Sequence, residues 1–210
     1  DLHLNCAGVL LFAEYPAAYN NRGNLLVALG QPTEAIKDFD RAILLAPGYA
    51  AAYSNRASAH LRLAQNTEAI TDFTRAIELL PSSAPPLSGR GLAHLSSGKP
   101  HAAIRDFSRA VNADARFASA YRNRAEARLS VGQNDESIED LSRALAFDVS
   151  NPEVYVVRGY AYLAAANTAS AIKDFARAIE LNPQAAAGYQ ARGLANRGAI
   201  TMEVPFMRSY

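Results

Sequence analysis

Residues 35–43 read Ala-Ile-Lys-Asp-Phe-Asp-Arg-Ala-Ile, and close copies return at residues 69–77, 103–111, 137–145 and 171–179. Each copy begins 34 residues after the last, without slippage over five copies, so the chain is built from a repeated structural unit. Within the stretch, Ala35, Ile36, Phe39, Ala42 and Ile43 fall at i, i+1, i+4, i+7 and i+8, which is one apolar stripe on an amphipathic helix.

A second pattern precedes each copy. It reads Tyr19-Asn20-Asn21-Arg22-Gly23 in the first unit and recurs from Tyr53, Tyr121, Tyr155 and Tyr189, with Leu87-Ser88-Gly89-Arg90-Gly91 in the third unit. Tyr19, Gly23 and Leu26 again mark one face of a helix. Between the two helices of a unit lie short turns such as Gly30-Gln31-Pro32 and Gly132-Gln133-Asn134, where glycine suits a helix end and Pro or Asn the next start. Pro47, Pro81 and Pro183 stop the second helix, with Ala115 and Val149 in the other two units. These signals predict helices over 17–30, 33–46, 51–64, 67–80, 85–97, 101–112, 119–131, 135–147, 153–165, 169–181 and 187–199. Small residues recur where helices must approach: Gly23, Ala57, Gly91, Ala125 and Gly159 in the first helix, Ala35, Ala69, Ala103 and Ala171 in the second. A lone pair of helices cannot bury its stripe, so neighbouring pairs must complete the core.

The 34-residue spacing and the Tyr, Gly/Ala, Ala, Phe, Ala and Pro positions resemble the tetratricopeptide repeat over residues 16–199, with departures at Leu87, Ser137, Leu141, Ala115 and Val149. The resemblance implies an all-α fold, a right-handed superhelical solenoid of antiparallel helix pairs. It divides the chain into repeats at 16–49, 50–83, 84–117, 118–151 and 152–185, with a partial sixth repeat helix at 186–199. Residues 1–15 keep the phase of the second helix of a truncated preceding repeat, and residues 200–210 form an apolar tail.

Arg22, Arg56, Arg90, Arg124, Arg158 and Arg192 recur on the first helix, and Asp38 with Arg41, Asp72 with Arg75 and their copies on the second. Such strict recurrence reads as a structural charge ladder: Asp and Arg three apart interact, and the first-helix Arg reaches an acidic or carbonyl partner on a neighbouring helix. His60 and His94 share one place in successive units, but Leu26, Arg128 and Tyr162 fill it elsewhere, so they read as packing residues and no metal is expected.

Formal charge is +1, and 11 of the 21 Lys and Arg residues fall on the two ladder positions, so little cationic excess is left to track phosphates and nucleic acid is not expected as a partner. No run of about 18 apolar residues is present, so no membrane span is expected. The single cysteine, Cys6, excludes an internal disulfide and leaves the compartment open, since a reducing interior and an export route fit it equally. No nucleophile triad, Walker loop, HExxH or dinucleotide loop occurs, which argues against an enzyme and against any cofactor.

The resemblance implies that the first helices line a concave groove holding a peptide or helix of a partner protein. Mapped onto this sequence, the candidate peptide-binding residues are Asn20, Asn21, Asn24, Asn55, Ser58, Arg62, Arg122, Asn123, Glu126 and Tyr160. The row Asn21, Asn55, Asn123 is similar to the asparagine ladder of the O-linked N-acetylglucosamine transferase arm, interrupted here by Gly89, Val157 and Ala191. A clamp for a chaperone's carboxylate tail is disfavoured, because Asn20, Pro85 and Gly89 stand where basic residues are needed. The expected function is a non-catalytic scaffold or adaptor for a protein partner. The alternatives are a targeting arm of a larger enzyme such as a glycosyltransferase, and a homo-oligomer in which residues 200–210 dock near Val156 and Tyr160 of a second copy.

Overall fold

Five positions one period apart, Gly30, Ala64, Gly98, Gly132 and Ala166, all take positive φ, between 56° and 77°. Each reverses the chain after a first helix. In the first, the Gly30 N–H donates to Val27 O at 3.1 Å and the Gln31 N–H to Leu26 O at 2.8 Å, the paired bonds that close a helix on a left-handed residue. The same 2.7–2.9 Å bond to the carbonyl five residues back recurs at Gln65, Gln133 and Asn167.

The structure, a computed structural model, describes residues 15–184 together with 189, 192 and 193. The expected helix over 1–15, apart from Tyr15, and the tail over 200–210 lie outside the described residues, and of the expected helix over 187–199 only Tyr189, Arg192 and Gly193 are described, each helical. The chain divides into two compact units, Asp1–Ser97 and Gly98–Tyr210. In the first are α1 (Pro16–Ala28), α2 (Pro32–Leu45), α3 (Ala50–Arg62), α4 (Asn66–Leu79) and α5 (Ala84–Ser96). In the second are α6 (Pro100–Ala113), α7 (Ala118–Ser130), α8 (Asn134–Phe147), α9 (Pro152–Ala164) and α10 (Thr168–Leu181). The described residues hold no strand.

In the first unit α1 packs on α2 and α3 on α4 as hairpins, α2 on α3 and α4 on α5 join successive repeats, and α1 touches α3 as α3 touches α5. The second unit repeats the scheme: α7 with α8, α9 with α10, α6 with α7, α8 with α9, and α7 with α9. The recurrent phenylalanines Phe39, Phe73, Phe107 and Phe175 are fully buried, and Leu141 takes their place once. Phe39 clusters with Ala35 and Ala59, the latter from the next repeat, and Phe73 with Ala57, Ala69 and Ala93.

Small residues are needed here for a measurable reason. A Cβ on Gly23 would lie 2.5 Å from the Phe39 ring, and at Gly159 and Gly89 it would come closer still to Phe175 and Phe73. Gly23 and Gly159 admit the ring of their own repeat, whereas Gly89 admits the ring of the preceding one.

Candidate protein-interaction surface

The recurrent first-helix arginines are tied to the recurrent aspartates of the second helices. Each of four first-helix arginines grips the buried aspartate sixteen residues on with a two-pronged bond: Arg22 to Asp38 at 2.7 and 2.6 Å, Arg56 to Asp72 at 2.7 and 2.6 Å, Arg124 to Asp140 at 2.8 and 2.6 Å, and Arg158 to Asp174 at 2.7 and 2.9 Å. From the second repeat onward, the arginine's Nη1 turns back sixteen residues to the second helix of the preceding repeat. There it meets Asp40 from Arg56 at 2.5 Å, Thr74 from Arg90 at 3.1 Å, Ser108 from Arg124 at 3.0 Å and Ser142 from Arg158 at 3.1 Å. Guanidiniums also lie 5.5–5.7 Å from the tyrosine three residues before them at Tyr19, Tyr53, Tyr121, Tyr155 and Tyr189. Leu87 omits that ring in the third repeat. The carboxylate bonds hold the Arg56 and Arg158 guanidiniums protonated well above their ordinary range, against the opposing effect of burial.

Two details differ from expectation. Asp38, Asp72, Asp140 and Asp174 serve the first helix rather than the arginine three residues on, whereas Asp106 makes the expected pair with Arg109 at 3.9 Å; Arg75 and Arg177 bond Glu78 and Glu180 instead, each at 2.9 Å. Asp140 takes a second cation, Arg128, at 2.6 Å, from the place where α3 carries His60. His60 Nδ1 pairs with Gln65 Oε1 at 2.7 Å, and among the described residues no group of three or more His, Cys, Asp or Glu could hold a metal.

What remains exposed on the first helices of the first unit is mostly small or polar, with Leu25 a large apolar exception and Arg62 the one charge outside the clamp. Asn21, Asn24, Ser58 and Arg62 are exposed. Asn55 is half-buried and donates through Nδ2 to Asn20 Oδ1 at 2.8 Å, bridging α3 to α1. Asn20 itself is 4% exposed, not the open residue the sequence pattern implied, because the neighbouring helix lies over it.

The second unit presents a different surface. Arg122 on α7 bonds Glu153 on α9 at 2.9 Å and lies 3.9 Å from Glu126, so its charge bridges two first helices. Asn123 is 5% exposed, and its buried side-chain oxygen has no hydrogen-bond partner among the described residues. Tyr160 is half-buried, edge-on to Phe175 at 5.4 Å, and burial pushes its hydroxyl's pKa up. Val156 and Val157 are each 5% exposed.

The ten candidate residues thus fall into two groups. Asn20, Asn21, Asn24, Asn55, Ser58 and Arg62 share the first-helix face of one unit, and Arg122, Asn123, Glu126 and Tyr160 that of the other. Glu153 was missed because its 31-residue separation from Arg122 is not a multiple of the period. The Asp40, Thr74, Ser108, Ser142 column was also missed, although its 34-residue spacing made it visible.

Stacked helix pairs with a periodic internal clamp and a variable first-helix face define an α-helical repeat scaffold. Tetratricopeptide repeat profiles match residues 16–49, 50–82, 89–152 and 152–185, and the chain belongs to the tetratricopeptide repeat family. Among solved structures it is similar to YrrB, described as a TPR protein with an unusual peptide-binding site, at 20% identity and a TM-score of 0.71 over 86% of this chain and 93% of that one. It is similar to MamA from Desulfovibrio magneticus RS-1 at 19% identity and TM-score 0.72, over 80% and 95% of the two chains. TTC0263, a thermophilic TPR protein of Thermus thermophilus, matches at 20% identity and TM-score 0.68, over 87% and 99%. At these identities the likeness is one of fold. No curated protein sequence matches the chain. Among the described residues no helix is long and apolar enough to cross a membrane.

Proposed function

We propose that the chain is a non-catalytic interaction scaffold that holds a peptide or a helix of a partner protein against its first-helix faces. Membership of the repeat family supports the scaffold role in general. One observation carries the finer reading: on the first helices the recurrent arginines such as Arg22 and Arg56 are tied to aspartates of the second helix, while Asn21, Asn24, Ser58 and Arg62, which change from repeat to repeat, are exposed outside that clamp. Asparagine and serine both donate and accept, which suits them to the backbone amides of a bound segment. The description of YrrB as having a peptide-binding site adds support from a chain of the same fold.

The test is affinity capture with mass spectrometry on three proteins: the native chain, a first-helix variant (Asn21→Ala, Asn24→Ala, Ser58→Ala) and an opposite-face variant (Lys37→Ala, Arg75→Ala). A partner retained by the native and opposite-face proteins and lost from the first-helix variant is expected. Equal capture by all three would remove the reading.

A further inference from the structure

The three first helices of the first unit, α1, α3 and α5, contain no Asp or Glu at all. Every described carboxylate of that unit sits on a second helix: Glu34, Asp38 and Asp40 on α2, Glu68, Asp72 and Glu78 on α4. The arginines of the same face divide into two kinds. Arg22 and Arg56 hold aspartates, and Arg90 donates to Thr74. Arg62 is exposed and makes no ion pair or side-chain hydrogen bond among the described residues.

Arg62 is also out of step with the repeat. The equivalent places are Ala28, Ser96, Ser130 and Ala164, so no packing requirement of the unit calls for a cation there. It closes α3, where a cation favours the helix terminus, but the other first helices of the unit close without one at that place. Arg62 lies one turn beyond Ser58, on the same side of α3, and Ser58 is exposed as well. A cation without an ion-pair partner among the described residues, on a face that carries no carboxylate and whose other arginines are held by Asp38, Asp72 and Thr74, is complementary to an anion on whatever lies along that face.

We infer that the first-helix face of the first unit takes an extended peptide segment carrying an acidic side chain, whose carboxylate pairs with Arg62 while Asn21, Asn24 and Ser58 meet the backbone around it. This rests on the groove reading above and narrows it to a class of ligand. The second unit's face has no such preference, because there Arg122 is already paired with Glu153 and lies beside Glu126.

The probe is a phage-displayed library of linear peptides about twelve residues long, long enough for an extended segment to run the face, selected on the full chain and on Arg62→Glu. Peptides enriched on the native protein should carry Asp or Glu above the library background, and Arg62→Glu should enrich Lys or Arg instead. For a synthetic copy of a selected peptide, Arg62→Gln should weaken binding about two- to fivefold, the range of an exposed ion pair. The same variant should leave the affinity of that peptide's Asp→Asn or Glu→Gln form unchanged, and the loss should shrink as salt is raised. Enrichment without acidic bias, or the same acidic peptides bound equally by Arg62→Glu, overturns the inference and leaves the groove reading standing. No enrichment on either protein overturns both.

Discussion

Replacing Arg158 by alanine removes one guanidinium from three helices at once. It bonds Asp174 on α10 at 2.7 and 2.9 Å and Ser142 on α8 at 3.1 Å, and stacks near Tyr155 at 5.6 Å and Tyr162 at 5.8 Å. The side chains of Arg158 and Asp174 are only 18% and 9% exposed, so the loss strands a carboxylate that water reaches poorly. Breaking such a pair from one side costs about 3–5 kcal/mol, against about 0.2–1 kcal/mol for an exposed pair. For a chain of this size each kcal/mol moves the thermal midpoint by about 2–4 °C, so Arg158→Ala should lower it by roughly 6–20 °C. Arg124→Ala is the internal control. Asp140 keeps Arg128 at 2.6 Å after that change, so its loss should be smaller, although Arg124 is the less exposed of the two arginines. Circular-dichroism melts of both variants, with Asp174→Ala and the Arg158→Ala/Asp174→Ala double variant, close the cycle. Because repeat arrays can melt in parts, amide exchange on α9 and α10 should be read alongside. A loss at Arg158 below about 1 kcal/mol, or equal losses at Arg158 and Arg124, would refute the view that the ladder carries the stack.

Three other perturbations follow from the geometry. Gly89→Asn, which would fill a gap in the asparagine row, should lower stability by about 1–3 kcal/mol, because its Cβ meets the buried Phe73 ring; a melt that rises would contradict this. Ala64→Gly and Ala166→Gly relieve left-handed alanines at φ 56° and 58° and should each raise stability by about 0.5–1 kcal/mol, while Gly30→Ala at φ 76° should do the reverse in the same melts. Tyr160 titrates above its ordinary value of 10.0 because burial disfavours the phenolate, so its contribution is whole below pH 10.0 and is lost as pH climbs through the raised value. The Tyr160→Phe difference spectrum at alkaline pH should show that late phenolate, and a transition at the ordinary value would contradict it.

The fold was legible because the repeat states each rule five times. The helix over 17–30 is observed at Pro16–Ala28, and the others agree as closely. Each helix starts one residue before the sequence reading has it, and at Pro32, Pro100 and Pro152 the reason is that a proline is accepted in the first turn, where a missing N–H costs nothing. Ends were placed late because Gly30 and Ala64 belong to the reversing turn rather than to the helix. The surface was harder. Whether Asn20 or Asn123 meets water depends on which neighbour lies over it, and a single helix does not carry that information. Pairing was legible only where it follows the period, as Arg with Asp does, and Arg122 with Glu153 does not.

The clamp reaches sixteen residues forward and sixteen back from an arginine such as Arg56, two spans that together stay within one period of 34. Excise residues 118–151 and Arg158 would again look back on a serine, Ser108, with Asp174 still ahead of it. The wiring is therefore indifferent to copy number: lengthening or shortening the chain by whole units leaves each surviving interior cation with an acceptor on both sides. Any other indel between an arginine and one of its two acceptors changes that sixteen-residue span and breaks the connection, so the array can change its reach in steps of one repeat while the faces it displays vary from one unit to the next.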